Sequence, residues 1–273
     1  MDMYIGFDSA WTDSPKTPGA ICAVGIENNH PACFHPPRPV SFDQALAFIQ
    51  TVRSRHGTTL VALDQPTIVP NATGMRPVER VAATLVSWLG GGVQPANRGR
   101  SGMFCNAAPI WRFLTALNAK EHPEEARQAT SGLYLMEVFP ALALASLRDD
   151  FYGRLNAPRY NPARAKTFRM ADWIHVATCA AQQARLLGCT ELAEWCRVAG
   201  ETASPRKPDQ DKLDAALCVL IALHWRLRHR EASLLLGDRC SGYMVLPASQ
   251  PVREYLTRSA RRLSVKIDGS IPI

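Results

Sequence analysis

The sequence predicts a single α/β domain in which helices flank a mixed β-sheet. Three observations support this fold class. Short apolar runs typical of buried strands occur at residues 3–8, 19–27, 59–64 and 134–139. Apolar residues recur at helical spacing between and after these runs. A turn separates the first two runs and helices separate the later ones, which predicts antiparallel and parallel pairing in one sheet.

The turn between the first two predicted strands is rich in Pro and Ser. Residues 30–40 contain four prolines, which allows a short edge strand and excludes a central one. Ser41 can cap a helix whose apolar positions continue until Gly57. The strand at 59–64 then ends at a Gln-Pro pair. The first half of the sheet is therefore predicted as hairpin, edge strand, helix and strand.

Residues 71–130 are predicted to form a helical insertion within a single domain that spans residues 1–273. Glycine-containing loops separate two helical patterns there, at 78–89 and 110–117. After the strand at 134–139, helices are predicted at 141–147, 172–187 and 211–228, followed by a Gly-rich hairpin and a basic tail.

The composition is that of a globular protein, with 47% hydrophobic and 20% charged residues. The longest apolar stretch of the C-terminal half, residues 215–223, is too short to cross a bilayer. The N-terminus lacks the basic segment of a signal peptide, so a cytoplasmic location without membrane association is predicted. The eight cysteines form no CxxC pair and mostly follow apolar residues, which favours buried thiols over a zinc site.

The formal net charge is +7, and the excess of cations lies after residue 150. Of the 31 cationic residues, 25 are arginine, whose planar guanidinium suits bidentate phosphate contacts. This charge pattern indicates nucleic acid or another polyanion as a partner, with a merely basic enzyme as the alternative.

Five carboxylates stand at unusual places in this pattern. Asp8 and Asp64 end apolar strands, Glu137 lies inside one, and Asp211 and Asp214 share one face at the start of the longest helix. A carboxylate in such a setting needs a partner, because burial disfavours its charged form. The alternatives are a turn-forming role for Asp8, a pre-proline turn for Asp64, a buried arginine mate for Glu137 and helix capping for Asp211.

If the strand acids converge with an acid of the helix, they form a cluster of hard oxygen ligands that selects Mg²⁺ or Mn²⁺. Two such ions can clamp the attacking and leaving oxygens of a phosphodiester displacement. The sequence therefore predicts Asp8, Asp64, Glu137 and Asp214 as catalytic metal ligands, with Asp211 as a competing ligand one turn earlier.

The order of an Asp-bearing first strand, a hairpin, a helix, an acid-ending strand and an Asp-bearing last helix resembles the ribonuclease H-like superfamily, including Holliday-junction resolvases. Several runs are similar to the domain of unknown function 429 family, described as predicted nucleases of that fold. These runs are GFDSAW, LDQPTIVPNATGMRPVER, MEVFPALAL, KPDQDKLDAALCVLIALHW and SGYMVLP.

The resemblance covers about residues 3–250 and implies a ribonuclease H-like mixed sheet with a nuclease activity. It maps the acidic positions of the family onto Asp8, Asp64, Glu137 and Asp214. The helix that follows Ser41 carries only Asp43 near its start, whereas ribonuclease H has a glutamate on that helix. The pattern is therefore nearer to that of the junction resolvases, and ribonuclease H specificity is not implied.

Basic and aromatic residues near these acids are candidates for binding phosphate or bases. The candidates are Arg76, Arg80, Arg98, Arg100, Lys207, Lys212 and Trp11. Arg76 and Arg80 can act as phosphate clamps or as mates for Glu137, the other cations can be surface charges, and Trp11 can be a core residue. The function predicted from these features is a metal-dependent nuclease. The alternatives are an inactive nucleic-acid-binding scaffold and a hydrolase of nucleotides or small phosphoesters.

Overall fold

A six-stranded mixed sheet forms the centre of the protein, in the order β3-β2-β1-β4-β6-β5. The computed structural model describes residues 1–16 and 18–272. The strands are β1 (Asp2–Asp8), β2 (Gly19–Glu27), β3 (His30–Val40), β4 (Thr58–Asp64), β5 (Lys120–Glu121) and β6 (Gly132–Glu137). A separate antiparallel hairpin consists of β7 (Ser233–Asp238) and β8 (Gly242–Pro247).

Helices cover both faces of the large sheet. They are α1 (Phe42–Val52), α2 (Pro77–Trp88), α3 (Pro109–Leu117), α4 (Pro123–Gln128), α5 (Pro140–Leu147), α6 (Met170–Leu186), α7 (Thr190–Gly200), α8 (Lys207–Leu227) and α9 (Gln250–Leu263). In the part of the chain that the structure describes, none of these helices is both long and apolar enough for a transmembrane segment. The eight cysteines are free thiols, and five of them are buried.

The strand pairing confirms the predicted mixed sheet. β1 pairs antiparallel with β2 and parallel with β4, and β4 pairs parallel with β6. β3 is an edge strand, as its prolines predict, but at 11 residues it is longer than the short strand expected. The prolines are tolerated over this length because an edge strand pairs on one side only.

Side chains of the central strands alternate between two apolar layers, as the two-residue repeat of a strand requires. Tyr4 and Ala62 belong to the larger core cluster, which includes the apolar residues of α8. Phe7 and Leu63 belong to the opposite cluster, which includes residues of α1 and α3. The predicted insertion at 71–130 therefore contributes to both faces, because α3 packs on α1 while α2 packs against α5 and α9.

The long helix α8 lies directly on β1 at Gly6. A Cβ atom added at Gly6 would lie 2.6 Å from the Val219 backbone nitrogen and still closer to the Ala215 carbonyl oxygen. Glycine is thus the residue that allows the two backbones to meet without an intervening layer of side chains. This close approach brings the first turns of α8 to the carboxyl end of β1, where Asp8 lies.

Replacing Gly6 with Ala should destabilise the protein by about 1–3 kcal/mol, because the added methyl group would push α8 away from β1. Urea unfolding measures this loss. Gly92→Ala is the matched control, because a Cβ atom at Gly92 would meet nothing within 4 Å. Equal stabilities of the two variants would contradict the close packing at Gly6.

Candidate functional site

Two carboxylates meet at the carboxyl ends of adjacent parallel strands. The register of β1 and β4 pairs Asp8 with Asp64, so both side chains lie on the same face of the sheet. This is the face of Gly6 and Ala62, which α8 covers. The two acids therefore lie side by side at the ends of two parallel strands, and neighbouring strands of a sheet are about 5 Å apart.

The first turns of α8 add two more acids to this edge. Asp214 is 6% exposed and accepts hydrogen bonds from the Tyr160 hydroxyl at 2.7 Å and the Gln210 amide nitrogen at 2.8 Å. Asp211 is buried and forms an ion pair with Lys207. Of the two helix acids, Asp214 is thus held by neutral donors and Asp211 by a cation.

The carboxylates of Asp8 and Asp64 differ from both helix acids. Among residues 1–16 and 18–272, neither carboxylate accepts a hydrogen bond or forms an ion pair, although Asp8 is only 8% exposed. Burial and the neighbouring carboxylates raise the pKa values of both groups well above their usual range. Burial also raises the pKa of Asp214, to about 6. Such shifts are concentrated at functional sites.

The free oxygens of Asp8 and Asp64 are the donors that fit a divalent cation. Within the described ranges, no three His, Cys, Asp or Glu side chains stand in an arrangement that holds a metal ion. A two-carboxylate site still suits Mg²⁺, because this ion keeps several waters and is bound through one or two carboxylates plus substrate phosphates. Asp8 and Asp64 are therefore the candidate metal ligands, with Asp214 and Asp211 next to them.

The metal-free protein should lose stability through Asp214 as the pH rises. The pKa of Asp214 is about 6 in the folded protein and 3.8 for an unperturbed aspartate. Between these values the folded protein binds more protons than the unfolded chain, so the free energy of unfolding falls with increasing pH. The difference of about two pKa units between the folded and unfolded states corresponds to a loss of about 3 kcal/mol in the free energy of unfolding.

Urea unfolding of wild type and Asp214→Asn in EDTA, from about pH 4 to about pH 8, measures this contribution together with the effect of the Asp214 charge on Asp8 and Asp64. The wild type should lose stability relative to the variant across this range. A difference between the two proteins that stays constant, or that favours the wild type more at high pH, would contradict the raised pKa of Asp214.

The carboxylate of Glu137 is bound by a buried arginine and is therefore not free to act as the ligand that the sequence predicts. Glu137 lines the same cavity as Asp64, and its register partner on β4 is Leu63. Its two carboxylate oxygens lie 2.6 and 2.9 Å from the guanidinium nitrogens of Arg76, and one also accepts a hydrogen bond from the Thr67 backbone at 3.0 Å. Glu137 is therefore the ion-pair partner of a buried arginine, which was the alternative to its role as a metal ligand.

Arg76 is correspondingly a structural residue and not a surface phosphate clamp. It is 0% exposed and pairs with Glu79 at 2.8 Å as well as with Glu137. The Glu79 carboxylate in turn accepts hydrogen bonds from the Arg76 and Ala96 backbone nitrogens, both at 3.0 Å. One buried cation thus links the start of α2 to the end of β6.

The other predicted cations are spread over the surface. Arg80 is exposed, and Lys212 pairs with Asp209 at 3.1 Å. Arg98 donates to the Val69 carbonyl at 2.8 Å and stacks on Trp111, while Arg100 contacts Gln94 and Met103. None of these four contacts the Asp8–Asp64 pair in the described part of the chain.

Lys207 and Trp11 are the predicted binding residues that reach the acids. Although burial lowers the pKa of Lys207, the carboxylates of Asp8 and Asp211 raise it overall. Trp11 packs edge-on against Phe104 at 5.3 Å and donates from its indole nitrogen to the Asp64 carbonyl oxygen at 3.3 Å. Trp11 is thus partly a packing residue, and it also lines a cavity beside Asp64.

A cavity of about 400 Å³ opens beside Asp64. Its polar lining includes Asp64, Tyr160, Gln210, Arg159 and Arg164. Sequence reasoning missed the last four, because residues 153–169 have neither strand nor helix periodicity and Gln210 reads as an ordinary helix residue. Burial and the Asp214 carboxylate raise the pKa of Tyr160, which keeps its hydroxyl protonated as a donor.

A family model described as "Protein of unknown function (DUF429)" matches residues 6–239. The chain belongs to the DUF429 family. The matched range of this DUF429 protein includes the Asp8–Asp64 pair, both acids of α8, and Tyr160, whereas β8 and α9 lie beyond it. No curated protein and no solved structure matches the chain.

Proposed function

We propose that this DUF429 protein is a metal-dependent nuclease that hydrolyses phosphodiester bonds. The observation that carries the proposal is the in-register pair of the buried Asp8 and the half-buried Asp64, two carboxylates without a hydrogen-bond or ion-pair partner among the described residues. Leaving such groups unpaired costs free energy in the folded protein. A bound Mg²⁺ or Mn²⁺ would offset that cost, since both ions prefer carboxylate oxygens.

In this proposal Asp8 and Asp64 hold the cation, which would offset the negative charge that develops on the phosphate during displacement. Tyr160 and Gln210 fix Asp214 beside the pair through hydrogen bonds of 2.7 and 2.8 Å. Lys207, with its raised pKa, adds a positive charge at the same edge. The cationic excess of the C-terminal half suits a polyanionic substrate.

The test is a panel of labelled single-stranded, duplex, hybrid and branched oligonucleotides incubated with Mn²⁺, with Mg²⁺ or with EDTA. We expect cleavage that requires the cation and falls at least about 100-fold in Asp64→Asn. The matched control is Asp43→Asn, because Asp43 is an exposed acid on α1, on the opposite side of the sheet. Its activity should equal that of the wild type.

Three outcomes would overturn the nuclease proposal. Cleavage that persists in EDTA or in Asp64→Asn would show that the Asp8–Asp64 pair is not responsible. Binding of the oligonucleotides without cleavage would favour a nucleic-acid-binding scaffold. Hydrolysis of mononucleotides or small phosphoesters with no cleavage of any strand would favour the cavity beside Asp64 as a site for small substrates.

A further inference from the structure

The cavity beside Asp64 has the size and wall of a binding site for one small organic ligand. Its volume of about 400 Å³ lies in the range of about 300–1,000 Å³ that is common for such sites. Apolar side chains in α2 and α5 and at their ends form much of its wall, among them Val86, Leu89, Phe139 and Leu144. A ligand that fills this space must therefore present a flat or apolar surface of limited size.

The polar groups of the cavity define the ligand further. Gln210 is 7% exposed, and its side-chain oxygen is buried without a hydrogen-bond partner in the described structure. Asp214 determines the orientation of this amide, because its carboxylate accepts a hydrogen bond from the Gln210 nitrogen. The Gln210 oxygen is therefore left as an acceptor without a donor. A buried acceptor without a partner suits a ligand that brings an N–H or O–H group.

Two arginine side chains add positive charge to the lining of the cavity. Arg159 is half-buried and Arg164 is exposed, and both line the same cavity as Asp64. Guanidinium groups pair well with phosphate oxygens. The cavity thus combines an apolar wall, a hydrogen-bond acceptor and a cationic edge next to the candidate metal ligand, which together match the base, the sugar and the phosphate of a nucleotide.

We propose that this cavity receives one unpaired nucleotide of a single-stranded nucleic acid while the adjoining phosphodiester lies at Asp64. This inference rests on the proposed nuclease function and names its substrate class. A double helix cannot enter a cavity of this volume, whereas a terminal or extruded nucleotide can, as enzymes that act on unstacked bases require. Stacking on the aromatic and apolar wall favours binding without strong sequence preference.

Gly92→Phe tests the subsite by filling it. Gly92 lines the cavity, and a Cβ atom added there would meet nothing within 4 Å, so the larger side chain should be accommodated without unfolding. Ala141→Phe is a second filling variant, at an exposed lining position of α5. The matched control is Ala47→Phe on the exposed side of α1, where the same change of residue does not affect the cavity.

Three quantities are measured for each variant: binding of a labelled single strand in EDTA, cleavage of that strand and its duplex with Mn²⁺, and the Mn²⁺-induced shift in melting temperature. The wild type should bind and cut the single strand in preference to the duplex. Both filling variants should weaken single-strand binding at least about fivefold, the lower end of what one stacked base contributes. Their Mn²⁺ shift, like every property of Ala47→Phe, should match the wild type.

The three readouts separate the subsite from the nuclease proposal. If Mn²⁺ shifts the melting temperature and strands are cut, but neither filling variant weakens single-strand binding, the subsite is wrong and the nuclease proposal stands. If no strand is cut but the filling variants still weaken binding, the subsite stands and the nuclease proposal fails. Tight binding of a mononucleotide together with no affinity for strands would overturn the assignment to a single strand.

Discussion

Replacing Asp8 with Asn should raise the melting temperature of the metal-free protein and remove most of its stabilisation by Mn²⁺. Asp8 is buried beside Asp64 and near Asp214, and burial together with these like charges raises its pKa. Asn keeps the shape of the side chain and removes the charge, so repulsion at the carboxyl ends of β1 and β4 is relieved. The variant should therefore be at least as stable as the wild type in EDTA.

The same substitution removes a proposed ligand of the cation. A ligand that binds only the folded state stabilises it by about 2.7 kcal/mol at 100 times its Kd, so Mn²⁺ should raise the melting temperature of the wild type. Asp8→Asn should lose most of that rise, whereas the control Asp43→Asn should keep it. An equal Mn²⁺ shift in wild type and Asp8→Asn would exclude Asp8 as a ligand and would favour a turn-forming role.

Replacing Arg76 with Met should destabilise the protein by about 3–5 kcal/mol, the usual effect of removing one partner from a buried ion pair. The variant keeps most of the side-chain volume but leaves Glu79 and Glu137 buried without their counterion. Both carboxylates contact the Arg76 guanidinium, at distances of 2.8 and 2.6 Å. Urea unfolding at neutral pH measures the loss.

Two further variants test whether the loss comes from the uncompensated charge. Arg80→Met, one turn later on α2 and exposed, should change the stability by no more than about 0.5 kcal/mol. Glu137→Gln should recover part of the stability when added to Arg76→Met, because one of the two unpaired charges is removed. If Arg76→Met is as stable as Arg80→Met, Arg76 does not stabilise the junction of α2 and β6.

Local sequence patterns were sufficient for most of the secondary structure. The strand predicted at 19–27 coincides with β2, and the helix predicted at 110–117 begins one residue after the start of α3. These elements are readable because apolar periodicity and proline or serine boundaries are encoded within a few neighbouring residues. Helices α4 and α7 were not predicted: α4 has six residues, and Cys189 before α7 provides no side-chain cap.

The placement of Asp8 and Asp64 at strand ends was also predictable, because each follows an apolar run directly. The sequence did not predict which of the acids meet, because that depends on the register between strands that are distant in the chain. In the register of β4 and β6, Glu137 pairs with Leu63, and its carboxylate is bound by the Arg76 guanidinium.

The sequence by itself determined the strands, the long helix and the acids that end or begin them, because those features are local. Only the tertiary structure decided that Arg76 neutralises Glu137, that Tyr160 holds Asp214, and that a cavity opens beside Asp64. These contacts join residues 54 to 61 positions apart in the chain. Their physical basis is the packing of α8 on β1 and of α2 at the end of β6, which no local pattern specifies.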